Sequence, residues 1–413
     1  MKEVIFMAAS KATKIYCRTY QAAFKTVMGT NLFNWKEPEL LEGPGAVRRL
    51  PAFVKSKGIN NVLVVTDKGL TGLHLLDGMY EELDKAGVKY TVYDGVQPNP
   101  SIENIEEAKD MYIKNNCEGI IAFGGGSPMD CAKAAGARVT NPGTSVRKMR
   151  GLLKVHHALP PFFAVPTTAG TGSEVTLAAV VTDESTHEKC PINDPKLRPK
   201  YAVLDPELTL GLPPKITSTT GMDALTHAVE AYIGNSNVAN TEEYAEKAVK
   251  LIFANVENAY NNGKDIDARN NMLKASYYAG MAFTRAYVGY VHAIGHNLGG
   301  FYHVPHGLAM AVIMPHVLDF YGEAAYERLA KLAEISGVKF TGTNEDKAKA
   351  FIAEVRAMNE RMGIPTTFDC IKEEDIPTIA QRALKEGNPL YPVPKIMDFD
   401  ECVALIKEIG GLN

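Results

Sequence analysis

Between residues 60 and 174 the chain alternates two kinds of segment, and that alternation restricts the folds open to it. NNVLVVTD (60–67), KYTVYDGV (89–96), EGIIAFGGG (118–126) and PFFAVPTTAGTGSE (161–174) are apolar, β-branched runs. Between the first three lie LLDGMYEELDKAG (75–87) and SIENIEEAKDMYIKNNC (101–117), which repeat their apolar residues at helical spacing. Gly87 suits the C-cap of the first helix, and Ser101 starts the second with Glu103 and Asn104 in its first turn. Strand, helix, strand implies a parallel sheet covered on both faces. Near Leu212-Pro213-Pro214 the character changes. Every later patterned stretch, from TGMDALTHAVEAYI to DFDECVALIKEIGG, reads as a helix. An α/β domain followed by an all-α domain is expected.

Composition removes several functions. Lys plus Arg number 44 against 48 Asp plus Glu, a net charge of -4, so neither nucleic acid nor an acidic membrane surface is expected as a partner. No apolar run approaches the roughly 18 residues that span a bilayer. The six cysteines form no CxxC pair, which argues against a disulfide framework and a structural zinc cage and fits a reducing, cytoplasmic compartment. Residues 1–34 carry Lys2, Lys11, Lys14, Arg18 and Lys25 with only Glu3 as an acid. That bias admits an organelle transit segment, but an ordinary basic N-terminal helix and strand is the expected reading.

GGGSPMD (124–130) lies between an apolar strand and a helical pattern. Glycines let backbone amides approach a ligand with no Cβ in the way, and a helix N-terminus favours a phosphate. Ser127 suits the N-cap, Pro128 the first helical position and Asp130 the first turn. On spacing alone, a tight strand-to-helix turn with no ligand fits equally well. The loop is not a GxGxxG fingerprint, because residue 129 is Met, and the acid that could read a ribose, Asp67, precedes the glycines.

VHAIGHNLGGFYHVPHG (291–307) packs four of the ten histidines into one short stretch. His292 and His296 stand four apart, as do Asp223 and His227 in GMDALTHAVE, and His306 follows Pro305 in a turn. An oxygen and several imidazoles suit a divalent transition ion. Each piece alone is weak, since a lone helical histidine is more often structural. His74, His156, His157, His187 and His316 are placed in that structural class, and His303 is left open.

Taken together, GGGSPMD, PTTAGTGSEVT, LDPELTLGLPP, GMDALTHAVEAYI and HAIGHNLGGFYHVPHG resemble, in order, the motifs of the iron-containing (group III) alcohol dehydrogenases. The resemblance runs from about Pro38 to the C-terminus. It implies a dehydroquinate synthase-like fold: an N-terminal extension (1–35), an α/β NAD-binding domain with a parallel sheet (36–212) and an all-helical metal-binding domain (213–413). It implies Asp223, His227, His292 and His306 as metal ligands, with His296 as the catalytic residue beside the nicotinamide. On the cofactor side it implies Asp67, Asn99, Gly125, Gly126, Ser127, Thr167, Thr168, Thr171, Lys189 and Leu208. Asp67 would accept hydrogen bonds from a ribose 2′-hydroxyl and repel a 2′-phosphate, favouring NAD over NADP. Ala178 stands where some relatives carry an asparagine, and Phe283 resembles a pocket wall that would favour simple alkyl alcohols over diols.

The activity so implied is NAD(H)-linked interconversion of a small primary alcohol and its aldehyde, with a divalent metal as Lewis acid. Fe(II) is expected ahead of Zn(II), although three imidazoles and a carboxylate also suit manganese or nickel. A homodimer or larger homo-oligomer is expected. Three other readings remain at this point: a dehydroquinate-synthase-like lyase, a glycerol or diol dehydrogenase on the same fold, and a non-enzymatic scaffold. The lyase needs a basic pocket, and Arg285 is the nearest cation in sequence to the ligand motifs. An intact ligand set argues against the scaffold.

Overall fold

A computed structural model describes residues 11–30, 35–185 and 188–412. Lys2, Glu3 and His187 lie outside the described residues, as do residues 1–10 and 31–34 of the basic N-terminal stretch. The chain forms two compact units. One comprises Trp35–Leu212 with Lys264–Gly280, and the other comprises Met1–Asn34, Pro213–Gly263 and Met281–Asn413.

Among its described residues the first unit has nine strands: β1 Glu39–Glu42, β2 Asn61–Val65, β3 Lys89–Tyr93, β4 Gly119–Gly124, β5 Gly151–Leu152, β6 Phe162–Pro166, β7 Ala178–Asp183, β8 Glu188–Asn193 and β9 Tyr201–Leu204. Six form one parallel sheet in the order β1-β9-β6-β4-β2-β3. Both faces are buried, which is why the strands read as continuous apolar runs. Leu63, Val65, Ile120, Ala122, Phe162 and Ala164 pack against the helices Ile102–Lys114 and Gly126–Thr140. Their neighbours Val62, Val64, Ile121, Phe123, Phe163 and Val165 point the other way, onto Ala46–Ser56 and Asp77–Ala86. Gly87 closes its helix in the left-handed region, and Ser101 and Asn104 form a reciprocal capping box, both as their positions predict.

After β2 the chain places β3 on one side and β4 on the other. The order therefore reverses between β2 and β4, and their carboxyl ends flank the crevice where open α/β sheets bind ligands. Asp67 follows β2 and the glycine loop ends β4.

The structure departs from the sequence reading in three places. A second sheet, β5-β8-β7 with an antiparallel β7–β8 pair, occupies a stretch to which no strands were assigned. The helix after the glycines begins at Gly126, with Gly125 as N-cap and no side-chain cap, so Ser127 is not the N-cap. The Ser127 hydroxyl instead accepts a hydrogen bond from the Asn99 amide (3.2 Å). Finally, Lys264–Gly280 belongs to the α/β unit and not to the helical one. A Cβ on Gly172 would lie 2.7 Å from the Gly280 Cα, so two glycines let this helical segment approach the Thr171–Glu174 loop.

Among its described residues the second unit is helical. Pro214–Ile233 runs through its centre and is buried on nearly every side from Thr217 onward. Tyr290–Tyr302, His306–Tyr321, Ile376–Gly387 and Phe399–Ile409 belong to the same unit, and so does the helix Lys11–Gly29. Among the described residues, no helix is long and apolar enough to cross a membrane.

Gly124 has φ +149°, and a Cβ there would stand 2.6 Å from the Pro128 ring. Gly124→Ala is expected to destabilise the protein by about 3 kcal/mol. Gly143→Ala, which meets nothing within 4 Å, is expected to stay within about 0.5 kcal/mol. Denaturant unfolding of the two variants checks the contrast.

Candidate metal centre and cofactor crevice

The helix Pro214–Ile233 supplies Asp223 and His227 from one face, and both are buried, at 2% and 5% exposure. The helix Tyr290–Tyr302 supplies His292, at 3%. That helix ends on His303 in the left-handed conformation (φ 55°), so the histidine left open in the sequence is an exposed C-cap. After the short turn, His306 opens the helix His306–Tyr321. Its neighbour Gly307 has no room for a side chain, since a Cβ would lie 2.5 Å from the Thr219 carbonyl oxygen. That close approach seats His306 beside the helix carrying Asp223.

One donor atom from each of Asp223, His227, His292 and His306 lies within 4.8 Å of all the others. A single ion with ligand distances of about 2.0–2.2 Å can gather such a set with small side-chain adjustments. Two atoms in this cluster, Asp223 Oδ1 and His292 Nε2, are buried with no hydrogen-bond partner among the described residues. Burial, and secondarily the charge of Glu230, pushes the Asp223 carboxyl up to about 8. Burial likewise holds His292 well below its ordinary value, with the charge of His296 adding to the effect. Orphaned lone pairs in a dry pocket that resists protons as well as bare negative charge are what a divalent cation offsets.

The sequence reading missed Glu230. It sits on the same helix face as Asp223 and His227, at i+7 from the first, so the D-x-x-x-H-x-x-E spacing contained the signal. Its Oε2 lies 2.6 Å from His292 Nδ1, and its Oε1 accepts the Val291 amide (2.8 Å). A carboxylate on Nδ1 turns the other ring nitrogen toward a metal and raises its basicity. Gly289 makes this possible, because a Cβ there would come 2.8 Å from Glu230 Oε1.

His296, one turn beyond His292, is not among the four clustered donors. Its Nδ1 pairs with Glu386 Oε1 (2.6 Å), which also accepts the Tyr391 hydroxyl (2.9 Å). Glu386 and Tyr391 carry no local sequence signal. The side chains of His296 and His306 are 29% and 39% exposed, so they mark the open side of an otherwise closed cluster. Phe283 stacks face to face on His227, with ring centroids 4.1 Å apart. Two of the histidines placed in the structural class are paired elsewhere, His74 with Asp77 and His316 with Glu408.

In the α/β unit, Gly125, Gly126, Ser127, Thr167, Thr168 and Thr171 of the predicted cofactor residues follow β4 and β6. The Thr167 amide donates to the Gly124 carbonyl (3.1 Å). A Cβ on Gly125 would meet the Thr168 hydroxyl at 3.3 Å, and one on Gly126 would meet the Thr171 methyl at 3.2 Å. Lys189 Nζ donates to Asn99 Oδ1 (3.1 Å), and Asn99 has φ 58°. The result is a backbone cradle at an uncapped helix N-terminus with a lysine beside it, which suits a phosphate. Asp67 caps the helix Lys68–Gly72 through Oδ1 and the Leu70 amide (3.0 Å). Leu208 is buried in the apolar cluster on the Val64 face. Ala178 begins β7, and its carbonyl accepts from Lys133 Nζ (3.1 Å). That lysine is wholly buried and also binds Ser173 Oγ (2.9 Å) and Thr176 Oγ1 (3.0 Å), tying the helix after the glycines to the Thr171–Thr176 loop.

Known proteins resemble the chain along most of its length. A family profile described as iron-containing alcohol dehydrogenase matches residues 38–206. A second, described as the C-terminal part of the Fe-containing alcohol dehydrogenase family, matches residues 217–410. The chain is 38% identical to a 1,3-propanediol dehydrogenase of Klebsiella pneumoniae over 92% of its own length and 100% of that protein's. It is 37% identical to an NAD-dependent methanol dehydrogenase of Bacillus methanolicus, covering 84% of this chain and 92% of that one. Among solved structures, a 1,3-propanediol oxidoreductase superposes with a TM-score of 0.87 at 38% identity, covering 90% of this chain and 98% of the other. A sulfoacetaldehyde reductase from Bifidobacterium kashiwanohense in complex with NAD+ gives 0.82 at 28% identity, covering 92% and 99%.

Asp223→Ala and His306→Ala proteins are expected to purify without metal, and elemental analysis that found either fully loaded would remove it from the ligand set. Glu230→Gln keeps all four donors, so it should bind metal about 10–100-fold more weakly, read by competition with a chelator.

Proposed function

The chain belongs to the iron-containing alcohol dehydrogenase family, and from that membership we propose a metal-dependent, NAD(H)-linked enzyme that interconverts a small primary alcohol and its aldehyde. The observation that carries the reading is the four-donor cluster, closed except on the side of His296 and His306. When bound, a divalent ion would supply Lewis-acid polarisation of the substrate oxygen while the nicotinamide takes or gives the hydride. Asp223, His227, His292 and His306 would hold it.

The remaining steps belong to this chain's own groups. Glu386 holds Nδ1 of His296 and leaves Nε2 to exchange a proton with the substrate hydroxyl, directly or through water. Burial acts to raise the Glu386 carboxyl, but the His296 charge, the hydrogen bond to His296 and that from Tyr391 outweigh it and keep the group below its ordinary value. The carboxylate therefore stays an acceptor. Gly125, Gly126 and Ser127 would hold the pyrophosphate, with Lys189 and Asn99 beside them, and Asp67 would select an unphosphorylated ribose. Phe283 flat against His227 supports an apolar alkyl group over a second hydroxyl.

We assign Fe(II) ahead of Zn(II) on the family designation. All six cysteines are free, which supports a reducing cytoplasmic setting. The family resemblance supports a homodimer or larger homo-oligomer. A dehydroquinate-synthase-like reaction is not favoured, because Glu230, Phe283 and Glu386 offer acidic and aromatic groups around the histidines where a phosphate and carboxylate substrate needs cations.

NADH oxidation by chelated protein should return on adding Fe(II) with at least one of acetaldehyde, propanal, butanal, lactaldehyde and 3-hydroxypropanal. No turnover with any metal and any of the five would end this reading. His296→Ala is expected to lower kcat about 100-fold with metal content unchanged; loss of metal in parallel would make it a ligand. Asp67→Ser keeps an N-cap oxygen and removes the charge, so the kcat/KM ratio of NADPH to NADH should rise at least about tenfold, with stability unchanged in a thermal melt.

A further inference from the structure

The family profiles begin at residue 38, yet the helix Lys11–Gly29 is fastened to the segment that supports His296. Gln21, at 3% exposure, donates from Nε2 to the Tyr391 carbonyl (2.7 Å). Arg18 donates from Nη1 to the Val393 carbonyl (2.7 Å) and from Nη2 to the Pro394 carbonyl (2.5 Å), while Nη1 also holds Gln21 Oε1 (2.9 Å). Phe24 packs edge-on against Tyr287 (5.1 Å), whose ring lies 6.2 Å from that of Tyr391. Cys17 is buried under the same helix, at 1% exposure.

Tyr391–Pro394 belongs to no helix or strand, so its carbonyls are bonded one by one: the Val393 amide donates to the Tyr391 carbonyl (2.9 Å), and Asn235 donates from its amide to the Pro392 carbonyl (2.6 Å) and from Nδ2 to the Val393 carbonyl (3.0 Å). Two side chains of the N-terminal helix supply three such bonds. The segment they pin carries Tyr391, whose hydroxyl donates to Glu386 Oε1 (2.9 Å), and the same oxygen holds His296 Nδ1 (2.6 Å). The contacts thus run without a gap from Gln21 to the Tyr391 backbone, from the Tyr391 hydroxyl to Glu386, and from Glu386 to His296. A glutamate with one fixed donor on the oxygen that faces the imidazole has fewer rotamers, and the ring it orients has fewer still.

We propose that the helix Lys11–Gly29 is a clamp for the reaction, with Arg18, Gln21 and Tyr391 as positioning residues that set His296 through Glu386. The inference rests on the reading that His296 works at the reacting atoms. None of the three touches the four donors, so their effect should fall on turnover and leave the metal in place.

The test is a double-mutant cycle in the full-length, Fe(II)-loaded enzyme, with the fastest of the five aldehydes and NADH. Arg18→Met/Gln21→Leu should lower kcat about tenfold with the KM for NADH and the metal stoichiometry unchanged. Arg18→Met/Gln21→Glu, which restores no donor at Nε2, should stay low, and Arg18→Lys/Gln21, which keeps donors at both places, should recover most of the rate. In a His296→Ala background the Arg18→Met/Gln21→Leu change should have no further effect. A persisting tenfold loss there, or a loss of metal in step with activity, overturns the clamp. Should the helix variant not fold, Tyr391→Phe cuts the same path at the hydroxyl and should reproduce the kcat loss and the non-additivity; wild-type turnover in that variant overturns the proposal. If His296→Ala alone leaves kcat unchanged, the role of His296 fails separately from the clamp.

Discussion

The helical unit is organised around a cost: polar donors held inside an apolar core. Asp223, His227, Glu230 and His292 are all nearly inaccessible, on helices that are otherwise buried in aliphatic side chains. Without a cation, burial disfavours the charged forms of Asp223, Glu230 and His292. Much of the local sequence answers that cost. Glu230 gives His292 Nδ1 a partner, the Val291 amide gives Glu230 one, and Gly289 and Gly307 remove side chains that would keep the groups apart. The lone pairs still unused converge on one point.

The α/β unit meets the opposite requirement. Its loops present backbone and avoid side chains at the carboxyl ends of the strands, where the sheet order reverses. Gly125 and Gly126 lie where a Cβ would press on Thr168 and Thr171. The charged groups that shape this region are partly hidden beneath it. Lys133 is buried below the loop with Asp130 and Glu174 nearby, and burial brings its ammonium down to about 8 while raising those two carboxyls to about 6 and about 7. Its four acceptors all lie between Ser173 and Ala178, so it acts as a tether for that loop.

Several parts were legible because they obey local rules. A parallel sheet buried on both faces writes itself as continuous apolar runs, and the Ser101–Asn104 box and Gly87 are short-range devices. The Asp223–His227 and His292–His296 spacings follow from the helical repeat alone. Other features escaped for physical reasons. The β5-β8-β7 sheet depends on an antiparallel pairing of β7 with β8 and on a two-residue strand, neither of which a local periodicity reveals. Ser127 has the chemistry of an N-cap, but its hydroxyl is taken by the Asn99 amide, which arrives from 28 residues away. Lys264–Gly280 reads as one more helix of the second domain, yet the matched Gly172 and Gly280 seat it in the first.

The sequence by itself determined which residue types could bind a metal and a phosphate, and in what secondary structure they would sit, because spacing along a helix or strand is a property of the backbone. Spacing alone did not separate His292 from His296, two histidines one turn apart on the same helix; the family resemblance gave them different roles. Only the tertiary structure shows how their surroundings differ, with Glu230 against one and Glu386 against the other, and Asp223 and His306 beside the first. Those partners come from helices distant in the chain, and the core packing that brings them together leaves no local trace in the sequence.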